Sequence, residues 1–100
     1  MVALKTPKFG FGSVVATPGA VATLKEAGQS PWEFLCRHLA GDWGDVDAED
    51  KAANDQALKD GSRLLSAYVL NGGEKIWIIT EATDDHGHRA STTVLLPNEY

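Results

Sequence analysis

Ile76, Trp77, Ile78 and Ile79 stand in a row just after Asn71-Gly72-Gly73, and this pairing constrains the chain more than any other feature. Residues that tolerate positive φ, set between two extended apolar runs, specify a hairpin. Its first strand reads from Arg63 to Leu70 and its second from Lys75 to Glu81. Consecutive bulky apolar residues suit a central strand covered on both faces better than an edge. A further strand, Arg89 to Leu96, follows the polar loop Asp84-Asp85-His86-Gly87-His88 and ends at Pro97. Three successive strands predict an antiparallel meander.

Upstream of Ser62 the apolar period is helical. Thr17-Pro18-Gly19 offers a capping hydroxyl followed by proline at the first helical position, and Val21, Leu24 and Ala27 supply an apolar stripe before Gly28. Ser30-Pro31-Trp32-Glu33 is a capping box that starts a second helix, whose buried face is Trp32, Phe34, Leu35, His38 and Leu39. Asp47 caps a third, with Glu49 and Asp50 in the first turn, an Asp55–Lys59 pair, and Asp60-Gly61 as its stop. Phe9 to Ala16 reads as a strand with Phe9, Phe11, Ser13 and Val15 on one face. Its pairing is open: either edge of the meander, or a separate arm. The fold class expected is therefore α+β, with an N-terminal strand, three short helices, then a three-stranded antiparallel β-meander packed on the helices.

One hundred residues make a single domain, 1–100, with residues 1–8 expected as a flexible tail. A chain that is 43% apolar can bury a core without staples, and its one cysteine, Cys36, has no partner within the chain. Cys36 is expected to be a buried small hydrophobe. The start lacks an apolar run of signal-peptide length and no segment approaches the roughly 20 apolar residues of a bilayer span, so a cytoplasmic protein with no membrane association is expected. Net charge is −5, which makes direct nucleic-acid binding a poor expectation. Seven acids and two lysines between Asp42 and Asp60 account for all of that imbalance.

Few constellations carry chemistry. Asp84, Asp85, His86 and His88 supply at most part of a metal shell, and the acids from Asp42 to Asp50 lack the glycine and terminal glutamate of an EF-hand loop. Cys36 and His38, two apart on one helix, do not face each other as nucleophile and base. Gly10, Gly12 and Gly19 match no phosphate-binding fingerprint. No catalytic residue, cofactor or metal is expected. Lys5 and Lys8 interleave with Phe9 and Phe11, an arrangement better explained by core aromatics and tail lysines than by stacking on single strands. Trp43, set among glycines and aspartates in Gly41-Asp42-Trp43-Gly44-Asp45, is either a core plug or an exposed interaction anchor.

Gly-Ser-Val-Val-Ala-Thr-Pro-Gly-Ala, Gly-Asp-Trp-Gly-Asp with the following Glu-Asp, Ala-Leu-Lys-Asp-Gly-Ser-Arg-Leu-Leu-Ser-Ala-Tyr, Lys-Ile-Trp-Ile-Ile-Thr-Glu-Ala and Ser-Thr-Thr-Val-Leu-Leu-Pro occur in that order. In them the chain resembles a family of short bacterial proteins of unestablished function, many encoded on plasmids and other integrating elements. Some members are labelled plasmid-related proteins or the modification subunit of a type I restriction enzyme. The residues oppose the latter label, because a methyltransferase needs a larger domain, a glycine-rich cofactor loop and an Asn-Pro-Pro-Tyr-like motif.

The function expected is a non-enzymatic protein-interaction module of a mobile element, engaging a protein partner through Trp43, Asp42, Asp45, Glu49, Asp50 and Asp55. One alternative is an acidic DNA mimic that occupies a restriction or defence protein. Another is a small ribonuclease like the ribosome-dependent toxins that cut messenger RNA, with Arg63, Lys75, His88 and Arg89 as its candidates.

Overall fold

The computed structural model describes residues 8–100. Strand β1, Ser13–Ala16, is followed by helices α1, Pro18–Ala27, α2, Pro31–Leu39, and α3, Ala48–Asp60. Strands β2, Leu64–Val69, β3, Lys75–Thr80, and β4, Ser91–Leu95, then complete the sheet, and a 3-10 turn spans Pro97–Glu99. The tail expected over residues 1–8 lies outside the described residues except for Lys8, whose N–H donates to the Leu39 carbonyl at 2.9 Å. Lys5 lies outside them too.

The protein is α+β, with three helices and a four-stranded mixed sheet in the order β1-β4-β3-β2. This corrects the expected sheet, a three-stranded antiparallel meander. Strands β2, β3 and β4 pair antiparallel, but β1 adds parallel to β4, with Ser13 opposite Ser91 and Ala16 opposite Val94. Turn residues advertise neighbours joined by short loops; a pair formed between the two ends of a chain leaves no such local mark.

The first strand is also shorter than the run Phe9 to Ala16. Gly12 has φ +65°, and a Cβ there would collide with the Arg89 carbonyl, so the chain turns at Gly12 to enter beside β4. Phe9 and Phe11 consequently leave the strand alternation. Phe9 stacks on Trp43 at 6.3 Å between ring centres and meets the His38 ring edge-on at 5.1 Å.

All three helix starts are capped as expected. Thr17 Oγ accepts the Ala20 N–H at 3.1 Å, Ser30 Oγ the Trp32 N–H at 3.2 Å, and Asp47 Oδ1 the Asp50 N–H at 2.7 Å. The second box differs in one half: Glu33 accepts from the Gln29 side-chain amide at 2.9 Å. The faces differ too. In α1 the buried residues are Ala20 and Leu24, and Val21 faces out. In α2 they are Phe34, Leu35 and His38, while Trp32 is 56% exposed. Trp32 and Cys36 each lie two residues from Phe34, about 200° around the helix, which turns both to solvent. Cys36 is thus an exposed thiol, contrary to expectation.

The main core joins α1 and α2 to one sheet face through Ala20, Leu24, Phe34, Leu35, Tyr68, Ile76, Ile78 and Val94. A second cluster, Trp43, Ala57 and Leu64, seats α3 against β2. Strand β3 is interior, as its run of bulky residues predicts. Ile76 and Ile78 point into the main core and Trp77 to the opposite face, where Tyr100 packs edge-on at 5.6 Å.

Candidate functional site

Trp43, expected as the anchor of an interaction surface, is only 3% exposed. It is the core plug. Its Nε1–H donates to Asp55 Oδ1 at 3.0 Å, and its ring packs against Phe9 and, at 5.6 Å, His38. The connector it pins lies along the outer edge of β2. Trp43 C=O accepts the Ala67 N–H at 3.1 Å, and the Asp45 N–H donates to Ala67 C=O at 2.6 Å. Gly44 sits between them at φ +74°, where any side chain would strike the Ala67 carbonyl. One pleat further along β2, the Asn54 side chain of α3 takes the place of another strand: Oδ1 accepts the Leu65 N–H at 3.0 Å and Nδ2 donates to Leu65 C=O at 2.7 Å.

The remaining residues of the expected surface are distributed around this seal. Asp42 accepts from Arg37 at 2.7 Å and 3.4 Å and from the Gly44 N–H, and its carbonyl accepts the Tyr68 hydroxyl at 2.6 Å. Burial pushes the Tyr68 phenol well above its ordinary range, so it stays a donor. Asp45 pairs with Lys75 at 3.1 Å. Asp55 holds the indole. Glu49 and Asp50 sit in the exposed first turn of α3. The structure therefore gathers Asp42, Asp45 and Asp55 around a buried Trp43 as scaffold, with Glu49 and Asp50 beside them on the surface.

Sequence reading missed a buried polar relay. His38 Nδ1 lies 2.5 Å from Ser66 Oγ and Nε2 lies 2.9 Å from Thr80 Oγ1; Thr80 Oγ1 is 2.7 Å from Thr92 Oγ1, which donates to the Phe11 carbonyl at 2.8 Å. The carbonyl can only accept, and this fixes every proton in the chain. Thr92 gives its proton to Phe11, so it accepts from Thr80; Thr80 in turn accepts from His38 Nε2–H, which leaves Nδ1 to accept from Ser66. His38 is neutral, and burial lowers its pKa from 6.5 to about 3, helped by the nearby Arg89 charge. His38, Ser66, Thr80 and Thr92 are all fully buried, so the Ser–His pair is a structural tie and not a nucleophile with its base. The signal that could have revealed it is Ser66, Thr80 and Thr92 falling on inward-facing positions of three strands, which need a polar partner.

The residues considered for ribonuclease chemistry do not converge. Because Leu64 pairs with Thr80 and Val69 with Lys75, Arg63 and Lys75 flank opposite ends of β2 and its partner. Arg63 donates to the Tyr100 hydroxyl at 2.5 Å and lies over its ring. Arg89 is a cross-brace, donating to the carbonyls of Ser62 at 2.7 Å, Glu81 at 2.9 Å and Ala57 at 3.2 Å. It shares an open groove of about 650 Å³ with Lys8, Phe9, Lys59, Asp60 and His88. Beside it, Asp84 Oδ1 accepts the N–H groups of His86 and His88 at 2.8 Å and 2.9 Å, which holds the carboxyl below its usual range and makes the loop a self-organised turn. Among the described residues, no three His, Cys, Asp or Glu side chains are grouped to hold a metal ion. Nor is any helix among them long and apolar enough to cross a membrane.

Among the described residues, the outer edge of β2 is left open only at Val69, which is 50% exposed, while the other sheet edge is accessible along its whole length. All four residues of β1 are exposed, Val14 at 37% and Val15 at 50%. Ser13 N–H donates to Ala90 C=O at 3.0 Å and Thr17 N–H to Val94 C=O at 2.9 Å, so the odd-numbered residues face β4. By the pleat, the N–H and C=O groups of Val14 and Ala16 point outward. The sequence held this signal in Ser-Val-Val-Ala, where no lysine or proline guards the strand. Comparisons with protein-family models, with curated proteins and with solved structures found no match to the chain.

Proposed function

We propose that the protein is a non-enzymatic protein-interaction module, of a mobile genetic element as its sequence resemblance implies, and that its docking element is the outer edge of β1. One observation carries this reading: among the described residues, the fold covers the β2 edge at Leu65 and Ala67 with backbone and side-chain hydrogen bonds, leaving only its end at Val69 exposed, whereas β1 is exposed along its whole length, with apolar side chains on it. An extended segment of a partner adds to such an edge by main-chain hydrogen bonds, with valines offering the side-chain contact. Trp43 serves this function from inside, by keeping the acidic connector seated on the opposite edge. The exposed Cys36 thiol fits a reducing, cytoplasmic setting.

Val14→Pro is the test, because proline removes an outward N–H and leaves the β1–β4 ladder intact. From lysate of bacteria that also express the untagged chain, the tagged wild type retains a protein, the untagged copy included, and the folded variant loses it. Equal retention by both would overturn the reading. The DNA-mimic reading draws less support, since Asp42, Asp45, Asp47 and Asp55 are engaged within the protein and only Glu49 and Asp50 lead an exposed helix turn. The ribonuclease reading keeps His88 and Arg89 in one groove, but Arg89 is committed to carbonyls and Lys75 to Asp45.

A further inference from the structure

With β1 taken as the docking element, the geometry of its outer edge names the occupant. We infer that β1 pairs antiparallel with β1 of a second copy of this chain, about a two-fold axis that passes beside Val15.

Register arithmetic selects this arrangement. The outward residues are Val14 and Ala16, two apart. An antiparallel pair in which Val14 faces the copy's Ala16, and Ala16 the copy's Val14, lets both pairs exchange N–H and C=O bonds. A two-fold rotation carries the arrangement onto itself, as an isologous contact requires. It sets Val15 directly opposite the copy's Val15 in the close, non-hydrogen-bonded position, where β-branched side chains pack best.

The side-chain row agrees. Val15 pairs with Thr93, Thr93 with Ile79 and Ile79 with Leu65, so one line of side chains crosses the sheet on the face away from α1 and α2. A Val15–Val15 contact continues that line into the second copy.

Charge permits this pairing. From Phe9 to Leu24 no residue is charged, the longest such stretch in the sequence. The acids between Asp42 and Asp60 that make up the net −5 lie at the β2 side, the opposite end of the strand order. Joining β1 to β1 brings the two molecules together along strands that carry no charge themselves, with the Glu99 carboxylate held on Thr17 at one end of each, and keeps the acidic segments at the far edges. A four-residue strand pair is smaller than the roughly 1,200 Å² at which stable interfaces begin, so the dimer is reversible and depends on concentration.

The test uses the full chain with Cys36→Ser as background. Sedimentation equilibrium over a concentration series is expected to give a mass rising from monomer toward twice monomer, with Val14→Pro monomeric throughout. Val15→Cys should form an intermolecular disulfide on mild oxidation, because opposed non-hydrogen-bonded residues meet its geometry, while Val14→Cys should cross-link far less. A dimer that survives Val14→Pro, or that cross-links equally at both positions, overturns the inference. A wild type that stays monomeric also overturns it. In that case, loss of lysate capture by Val14→Pro leaves the edge in use by a different protein, and unchanged capture removes the edge reading as well.

Discussion

The two edges of this sheet are treated in opposite ways. Along β2, every outward polar group of Leu65 and Ala67 has a partner supplied by Asn54, Trp43 or Asp45, and charged residues crowd the connector that supplies them. Along β1, four residues without charge present their outward groups to solvent among the described residues. Unpaired edges invite other strands, and proteins usually blunt them with charge, proline or cover. Here one edge is blunted by cover and the other is not.

The contrast between the edges breaks most forcefully at Trp43. Trp43→Ala removes a buried aromatic and leaves Asp55 without its donor, so a loss of about 3–5 kcal/mol is expected in chemical denaturation, with the connector released from β2. Hydrogen exchange at the Ala67 amide should accelerate while the β1–β4 amides of Ser13 and Thr17 keep their protection relative to the rest of the fold. If both edges loosened together, the two would not be independently built.

Acidification tests the tie between the edges. The His38 relay reaches from Ser66 on β2 to the Phe11 carbonyl just before β1. His38 has a pKa of 6.5 as an ordinary histidine and about 3 when folded, so between those values the unfolded chain binds the extra proton and stability rises with pH. Its contribution is therefore complete above pH 6.5 and is lost as pH falls toward 3, at about 1.4 kcal/mol per pH unit. Urea titrations from pH 7 to pH 4 should show that slope, reduced in His38→Gln, and nuclear magnetic resonance should find the neutral ring protonated at Nε2.

Smaller again is Asn54→Ala, which orphans the Leu65 N–H and C=O and should cost about 1–3 kcal/mol, with Asn54→Asp recovering the half that needs an acceptor. The least effect on stability belongs to Val14→Pro, expected within about 0.5–1 kcal/mol because the residue is exposed and its N–H faces outward. Its effect should emerge only in association. A large loss of stability would show that the outward edge of β1 bears on the fold after all.

Local chemistry was legible in the residues. Thr17, Ser30 and Asp47 cap helices because short polar side chains meet orphan amides wherever they stand before a helical run, and Asn71-Gly72-Gly73 turns because its φ demands are local. What depended on distant partners was not. Strand β1 pairs with β4 across almost the whole chain, and Trp43 is buried because Phe9 and His38 close over it. Asn54 is one polar residue among many on α3 until β2 is laid beside it. Of the expected surface, the acids do lie in the neighbourhood of Trp43, but the tryptophan faces inward and the accessible apolar residues are valines of a strand that composition alone does not single out.

The β1–β4 pairing also orders events in time. Strand β1 needs a partner from far along the chain, β4, while the β2–β3 hairpin closes across a short turn, so the hairpin forms early and the β1–β4 pair late when the chain folds. Until β4 arrives, Val14 and Val15 present main-chain groups on both sides of β1 to whatever extended chain lies nearby.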